Sequence, residues 1–132
     1  MKIEIISVDE LKPYQNNART HSDKQVSQIA RSIKDFGFNN PVLVDSNNNI
    51  IAGHGRVLAA KQLGLSNVPV IRHEHLTELQ LKAYILADNK LAEKAGWDRN
   101  ILRIEFENIL NLDIDFDLTA TGFDTPDIDL VL

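Results

Sequence analysis

The 132-residue chain contains no cysteine, which excludes disulfides, thiolate metal sites and thiol nucleophiles. It has no apolar run near the roughly 18–20 residues that a membrane-spanning helix needs. Its first residues, Met1-Lys2-Ile3-Glu4-Ile5, lack the apolar stretch and small-residue cleavage site of a secretory signal. Internal repeats and low-complexity segments are also missing. The expectation is a cytoplasmic protein with no membrane association, built as one domain with an appendage. The remaining composition, 43% apolar and 25% charged residues, is ordinary for a soluble globular chain.

Basic charge is scarce overall, with a formal net charge of −5, but it is unevenly spread. Residues 1–97 hold 12 Lys and Arg against 10 Asp and Glu, for +2. Residues 98–132 hold 2 against 9, for −7. Affinity for a phosphate backbone rests on basic side chains, so the acidic segment argues against direct DNA binding while the first segment permits a phosphate contact. Direct DNA binding by this chain alone is therefore expected to be weak or absent.

What is present is an alternation of short strands and helices. Residues 2–7 read as an Ile-rich strand, followed by a polar connection over residues 8–21. Ser22, with Gln25 three residues on, opens a helix carrying Val26, Ile29, Ile33 and Phe36 at helical spacing, and Gly37 stops it. Residues 41–45 and 49–52 read as two strands about an Asn-rich turn. Gly53 to Gly55 break the second strand, and Arg56 to Leu63 restart as a helix. A strand over 68–72, a helix from a Thr77 cap to about Ala95, and a helix over 99–110 follow. The remainder, 113–132, is acidic and weakly patterned. Strands that pair as hairpins and also connect through helices predict an α+β domain with a small mixed β-sheet packed with helices.

The chemistry concentrates at Ile50-Ile51-Ala52-Gly53-His54-Gly55-Arg56. A strand that ends in Gly-x-Gly-Arg and turns into a helix brings unpaired main-chain N–H donors, the positive end of the helix dipole and a cation to one point. Glycines let a phosphate approach the backbone, and Arg56 can add a two-pronged contact. Alone the motif is equally compatible with a tight turn and a solvated arginine.

Its company is more specific. Asn16-Asn17-Ala18-Arg19, Gly37-Phe38-Asn39-Asn40-Pro41-Val42, Gly53-His54-Gly55-Arg56-Val57-Leu58-Ala59-Ala60 and Leu86-Ala87-Asp88-Asn89 occur in that order. The succession resembles the N-terminal domain of the ParB family, which shares its fold with sulfiredoxin, over roughly residues 5–97. The resemblance implies a ParB-like nucleotide-binding domain over 1–97, with 98–132 an acidic, partly helical extension. It implies a site for a nucleoside triphosphate, CTP in the family, with Mg²⁺. Gly53, His54, Gly55 and Arg56 would lie at the phosphates with Asn89 and Arg19, and Asp88 would meet the Mg²⁺ with its carboxylate. On a helical wheel Asp88 falls among Leu81, Tyr84, Ile85, Leu91, Ala92 and Ala95. A carboxylate in an apolar sector must find a cation, a metal or hydrogen-bond donors.

Two positions depart from the family box Gly-Glu-Arg-Arg: His54 replaces the glutamate and Gly55 the first arginine. The glutamate is the residue implicated in nucleotide hydrolysis, and an imidazole is no substitute for a hard oxygen ligand around Mg²⁺. Binding is thus expected more firmly than catalysis. If the chain is an enzyme, an NTP hydrolase, a kinase or a nuclease, the candidate catalytic residues are His54 and Asp88, with Glu93 a further base. The sulfiredoxin reaction is excluded for want of cysteine. A pure interaction module using the acidic extension is the remaining alternative. His73-Glu74-His75 lacks an evident third metal ligand and reads as a polar strand end, and Trp97 reads as a plug in a core or domain edge.

Residues 98–132 are expected to be too acidic and too short to form the helix-turn-helix and dimerisation domains of a partition-type member. The segments around Gly53, Asp88 and Gly96-Trp97-Asp98, with Thr121-Gly122-Phe123-Asp124, resemble a ParB-like subgroup associated with phage and mobile elements and joined to DNA methyltransferases. The partners this implies are a nucleotide, a DNA methyltransferase or other DNA-associated protein, and a second copy of the chain.

Overall fold

Strand β1 (Ile3–Ser7) leads through a 3-10 turn, Val8–Glu10, into the connection that precedes helix α1 (Asp23–Phe36). The computed structural model describes residues 2–15, 17 and 19–132, so Asn16 and Ala18 of the Asn-Asn-Ala-Arg motif lie outside the described residues. Helix α1 forms where its local signals place it. Ser22 Oγ accepts the Gln25 N–H at 3.1 Å, and Gly37 at φ 93° ends the helix with its N–H on Ile33 O.

Strands β2 (Val42–Val44) and β3 (Ile50–Ala52) pair antiparallel around a turn organised by Asp45. That carboxylate accepts from the N–H groups of Asn47 and Asn49 and from Asn49 Nδ2, and Asn48 takes φ 65°. Burial would raise the Asp45 pKa, but the hydrogen bonds from Asn49 and Asn47 outweigh it and hold the carboxyl below its ordinary value. Helix α2 (His54–Gln62) follows at once, and strand β4 (Asn67–Arg72) closes the sheet.

The sheet order is β1-β4-β2-β3, with β1 and β3 antiparallel to their neighbours and β2 parallel to β4. It is the mixed sheet expected of the α+β class. Register puts Ile6 opposite Val68 and Val42 beside Val70, so alternate residues fill one core with Val44, Ile50, Val57 and Ala60. A second cluster joins α1 to α2 through Val26, Ala30 and Ala59. Full burial of each valine contributes about 1.5–3 kcal/mol, which is why the strands tolerate being only three to six residues long.

Helix α3 (Glu78–Lys94) begins at a full capping box, Thr77 Oγ1 accepting from Gln80 N–H and Gln80 Oε1 from Thr77 N–H. Only Ile85 of this helix is buried, while Leu79, Leu86 and Leu91 are exposed. The apolar sector read around Asp88 is therefore not a buried face, and Asp88 itself is exposed.

The chain divides into two compact units, Met1–Glu93 and Lys94–Leu132. In the second, helix α4 (Arg99–Leu112) and helix α5 (Thr125–Val131) enclose a small core of Leu102, Phe106, Leu118 and Ile128. Residues 113–132 are thus ordered, contrary to their weak sequence pattern: Asp117 caps a 3-10 turn, Leu118–Thr121, and α5 follows. Trp97 is 71% exposed, with its ring 5.0 Å from that of Phe123, so it covers an edge of this core and does not plug it. Among the described residues no helix is long and apolar enough to cross a membrane.

Candidate functional site

The strand-to-helix junction differs from expectation in where the helix starts. Gly53, at φ 101° and ψ 22°, is the residue before the first turn of α2, so His54 and Gly55 belong to the helix and not to a loop. An N-cap normally sits in the extended region with a side-chain acceptor. Gly53 offers neither, so the first N–H groups of α2 have no side-chain cap and point out of the end of the helix.

Arg56 folds back over this glycine. Its Nη2 donates to Pro41 O at 3.0 Å, and a Cβ on Gly53 would stand 3.0 Å from Nη2 and 3.3 Å from Nε. The buried Nε–H has no partner among the described residues. Burial disfavours the charged guanidinium, and the carboxylate of Asp88 opposes that effect. A half-buried arginine with an unmet donor beside an uncapped helix terminus is suited to an anion.

A cavity of about 160 Å³ opens here, walled by Arg19, His21, Gly53, Arg56, Asp88 and Asn89 among others. The structure brings Gly53, His54, Gly55, Arg56, Asp88, Asn89 and Arg19 together on its wall, whereas Glu93, the further candidate base, does not line it. Arg19 is held by Asn89 O at 3.3 Å and Glu93 at 3.7 Å, which ties the long connection to α3. Asn89 donates Nδ2 to Ile85 O and so keeps its amide oxygen as the acceptor. A neighbouring cavity of about 240 Å³ shares Arg19, His21 and His54 and adds Tyr14, Asn17 and Lys61. The larger space of about 620 Å³ beside Lys12, Asp45, Glu78 and Lys82 has balanced charges and lacks the glycine turn of the smaller cavity.

His54 is already engaged. Its Nε2 accepts the Tyr14 N–H at 3.1 Å, which requires a neutral ring protonated on Nδ1. Burial, and then the nearby His21, lower its pKa below the ordinary imidazole value. The lone pair that a general base would use is spent on fixing the connection. His21 is the site residue missed in the sequence. Nothing in its local pattern, a His just before a helix cap, distinguishes it. His73 and His75 have ring centroids 5.6 Å apart, but no group of three metal-ligating side chains occurs among the described residues.

Fold and site define a class: a mixed-sheet α+β domain whose strand–glycine–helix junction offers main-chain donors and an arginine to an anion-sized cavity. Residues 1–89 match the ParB N-terminal domain, and the chain belongs to that family. It is similar to the ParB-like nuclease domain-containing protein YnaK of Escherichia coli, 54% identical over 80 residues, covering 61% of this chain and 92% of the relative. Probable chromosome-partitioning proteins ParB are also similar, that of Rickettsia typhi at 37% identity over 70 residues. The match covers 52% of this chain but only 24% of the Rickettsia protein's length. Among solved structures, C-terminally truncated ParB from Caulobacter crescentus complexed with CTP-γ-S superposes with a TM-score of 0.82 at 18% identity, covering 99% of this chain and 77% of that one. Sulfiredoxin from Arabidopsis thaliana superposes at 0.54 and 18% identity, covering 64% and 98%. At these identities the structural likeness is one of fold, and it agrees with the ParB/sulfiredoxin-like architecture expected.

Proposed function

We propose that the cavity at the start of α2 binds the triphosphate of a nucleotide, CTP or another NTP, together with Mg²⁺. The observation that carries the reading is Arg56: half-buried, held over Gly53, and left with an unmet Nε donor at an uncapped helix terminus. The CTP-γ-S complex of the Caulobacter relative supports it. The first cavity is too small for a whole nucleotide. The adjoining one, which shares Arg19, His21 and His54, gives the nucleoside a separate compartment.

The residues present fit a phosphate-borne Mg²⁺. Asp88 is an exposed carboxylate on the cavity wall, and Asn89 keeps a free amide oxygen for the same side. Mg²⁺ asks for one or two such protein oxygens and takes the rest from phosphates and water. It would supply charge neutralisation for the phosphates.

In this reading the chain is a nucleotide-binding module serving DNA partition or modification in the cytoplasm. A DNA methyltransferase of a phage or mobile element is the partner proposed, and a homodimer the form. Binding is favoured over catalysis because the Nε2 of His54 is committed to Tyr14. Titration of the chain with the four NTPs plus Mg²⁺ tests the reading: one or more binds saturably, and Arg56→Ala weakens that binding by about 10–100-fold. Unaltered binding by that variant removes Arg56 from the site.

A further inference from the structure

The family box carries an arginine where this chain has Gly55, and the structure shows what occupies that space. A Cβ on Gly55 would stand 2.9 Å from Ile29 Cδ1 and 3.1 Å from both Cε1 and Nδ1 of His21. The imidazole of His21 thus packs directly against the main chain of the first turn of α2, on the wall of the cavity it shares with Arg56 and Asn89. Its Nδ1 lies 3.0 Å from Gln25 Oε1. With the amide oxygen accepting, Nδ1 carries the hydrogen, the ring orientation is fixed, and Nε2 is the nitrogen left to exchange a proton.

We infer that His21 is a further cation of the anion site beside Arg56 and Arg19, its protonated ring contacting the phosphate chain from the place that the side chain missing at Gly55 would have taken. The inference rests on the nucleotide reading above and deepens it by naming a phosphate ligand from outside the box. The charged and titratable groups that line the two cavities with it are Tyr14 and Arg19 from its own connection, His54, Arg56 and Lys61 from α2, and Asp88 from α3; α1 contributes the neutral Gln25. A contact made only by the protonated ring links proton uptake to nucleotide binding, so affinity is higher at pH 6 than at pH 8.

The test is a titration of the full chain with each Mg²⁺-NTP at pH 6 and pH 8, for the wild type, His21→Gln, His21→Phe and Arg56→Ala. The phenylalanine keeps a ring against Gly55, and thermal unfolding of each variant verifies that it folds. At pH 6 both His21 variants bind about tenfold more weakly than wild type, the worth of one charge-assisted contact. Their affinity also changes less between the two pH values than that of wild type. His21→Ala and Ile29→Val combined with Gly55→Arg, which clears both close contacts and puts a permanent cation in the same space, restores binding at pH 8. If Arg56→Ala binds poorly while both His21 variants match wild type at pH 6, the His21 inference is overturned and the site stands. If wild type binds none of the four nucleotides, the nucleotide reading fails and takes this inference with it.

Discussion

Replacing Gly53 by alanine tests the geometry of the junction more sharply than any change of charge. Gly53 sits at φ 101°, where an L-residue is strained by about 1–2 kcal/mol. The new methyl group would also meet the Arg56 guanidinium, 3.0 Å from Nη2 and 3.3 Å from Cζ and Nε. That group must give by a few tenths of an ångström, which strains its bond to Pro41 O, a hydrogen bond from a charged donor worth about 1.5–3 kcal/mol when intact. The combined loss is about 1.5–4 kcal/mol, the backbone strain plus part of the worth of that bond. Gly64→Ala is the matched control, because Gly64 also has a positive φ, 72°, but nothing within 4 Å of the Cβ position. Urea unfolding followed by circular dichroism compares the two variants, and a Mg²⁺-NTP titration follows binding. Gly64→Ala loses only the backbone part and binds normally, whereas Gly53→Ala loses more stability and binds poorly. Equal stability losses with intact binding in both would refute the idea that Gly53 exists to seat Arg56.

Two further outcomes follow from hydrogen bonds seen in the structure. Asp45→Ala removes the acceptor of three hydrogen bonds in the β2–β3 turn and lowers stability by about 1–3 kcal/mol in urea unfolding. Because the folded carboxyl is held below its ordinary value, its contribution is complete above that value and is lost as pH falls through the folded one, so the variant shows a shallower decline in acid. His54 behaves in the matching way. Its folded pKa is lowered by burial and His21, so the stability it gives by staying neutral is present above the ordinary imidazole value, about 6.5, and lost as pH falls below it. Thermal unfolding at pH 7 and pH 5 should show a larger drop for wild type than for His54→Gln, and an identical drop in both would contradict the neutral, Tyr14-bound histidine.

The features legible in the sequence were those with local causes. Ser22 and Gly37 bound α1 through contacts within four residues, and Thr77 with Gln80 does the same for α3. Three of the motifs supply cavity wall, Arg19 from the connection, Gly53 to Arg56 from the start of α2 and Asp88 with Asn89 from α3, while the Gly37–Val42 segment supplies only Pro41 O to Arg56. Other features depended on what covers a residue. The helical wheel placed Asp88 among apolar neighbours, but a wheel cannot tell whether anything packs on that face, and only Ile85 of α3 is buried. Helix α5 has seven residues, too few for a period to show, and its burial comes from Phe106 and Leu118 elsewhere in the chain. The bond from Tyr14 N–H to His54 spans 40 residues and turns a candidate base into a clamp. His21 escaped notice for the same reason, since its role depends on the missing side chain of Gly55.

Whether the uncapped start of α2 and Arg56 form a nucleotide triphosphate site is decided by calorimetric titration of wild type and Arg56→Ala with Mg²⁺-NTPs. Wild type binds at least one nucleotide saturably, and the variant binds it about 10–100-fold more weakly, the loss expected for a charge-assisted contact. No saturable binding to any of the four, or equal affinity in the two proteins, would contradict that assignment.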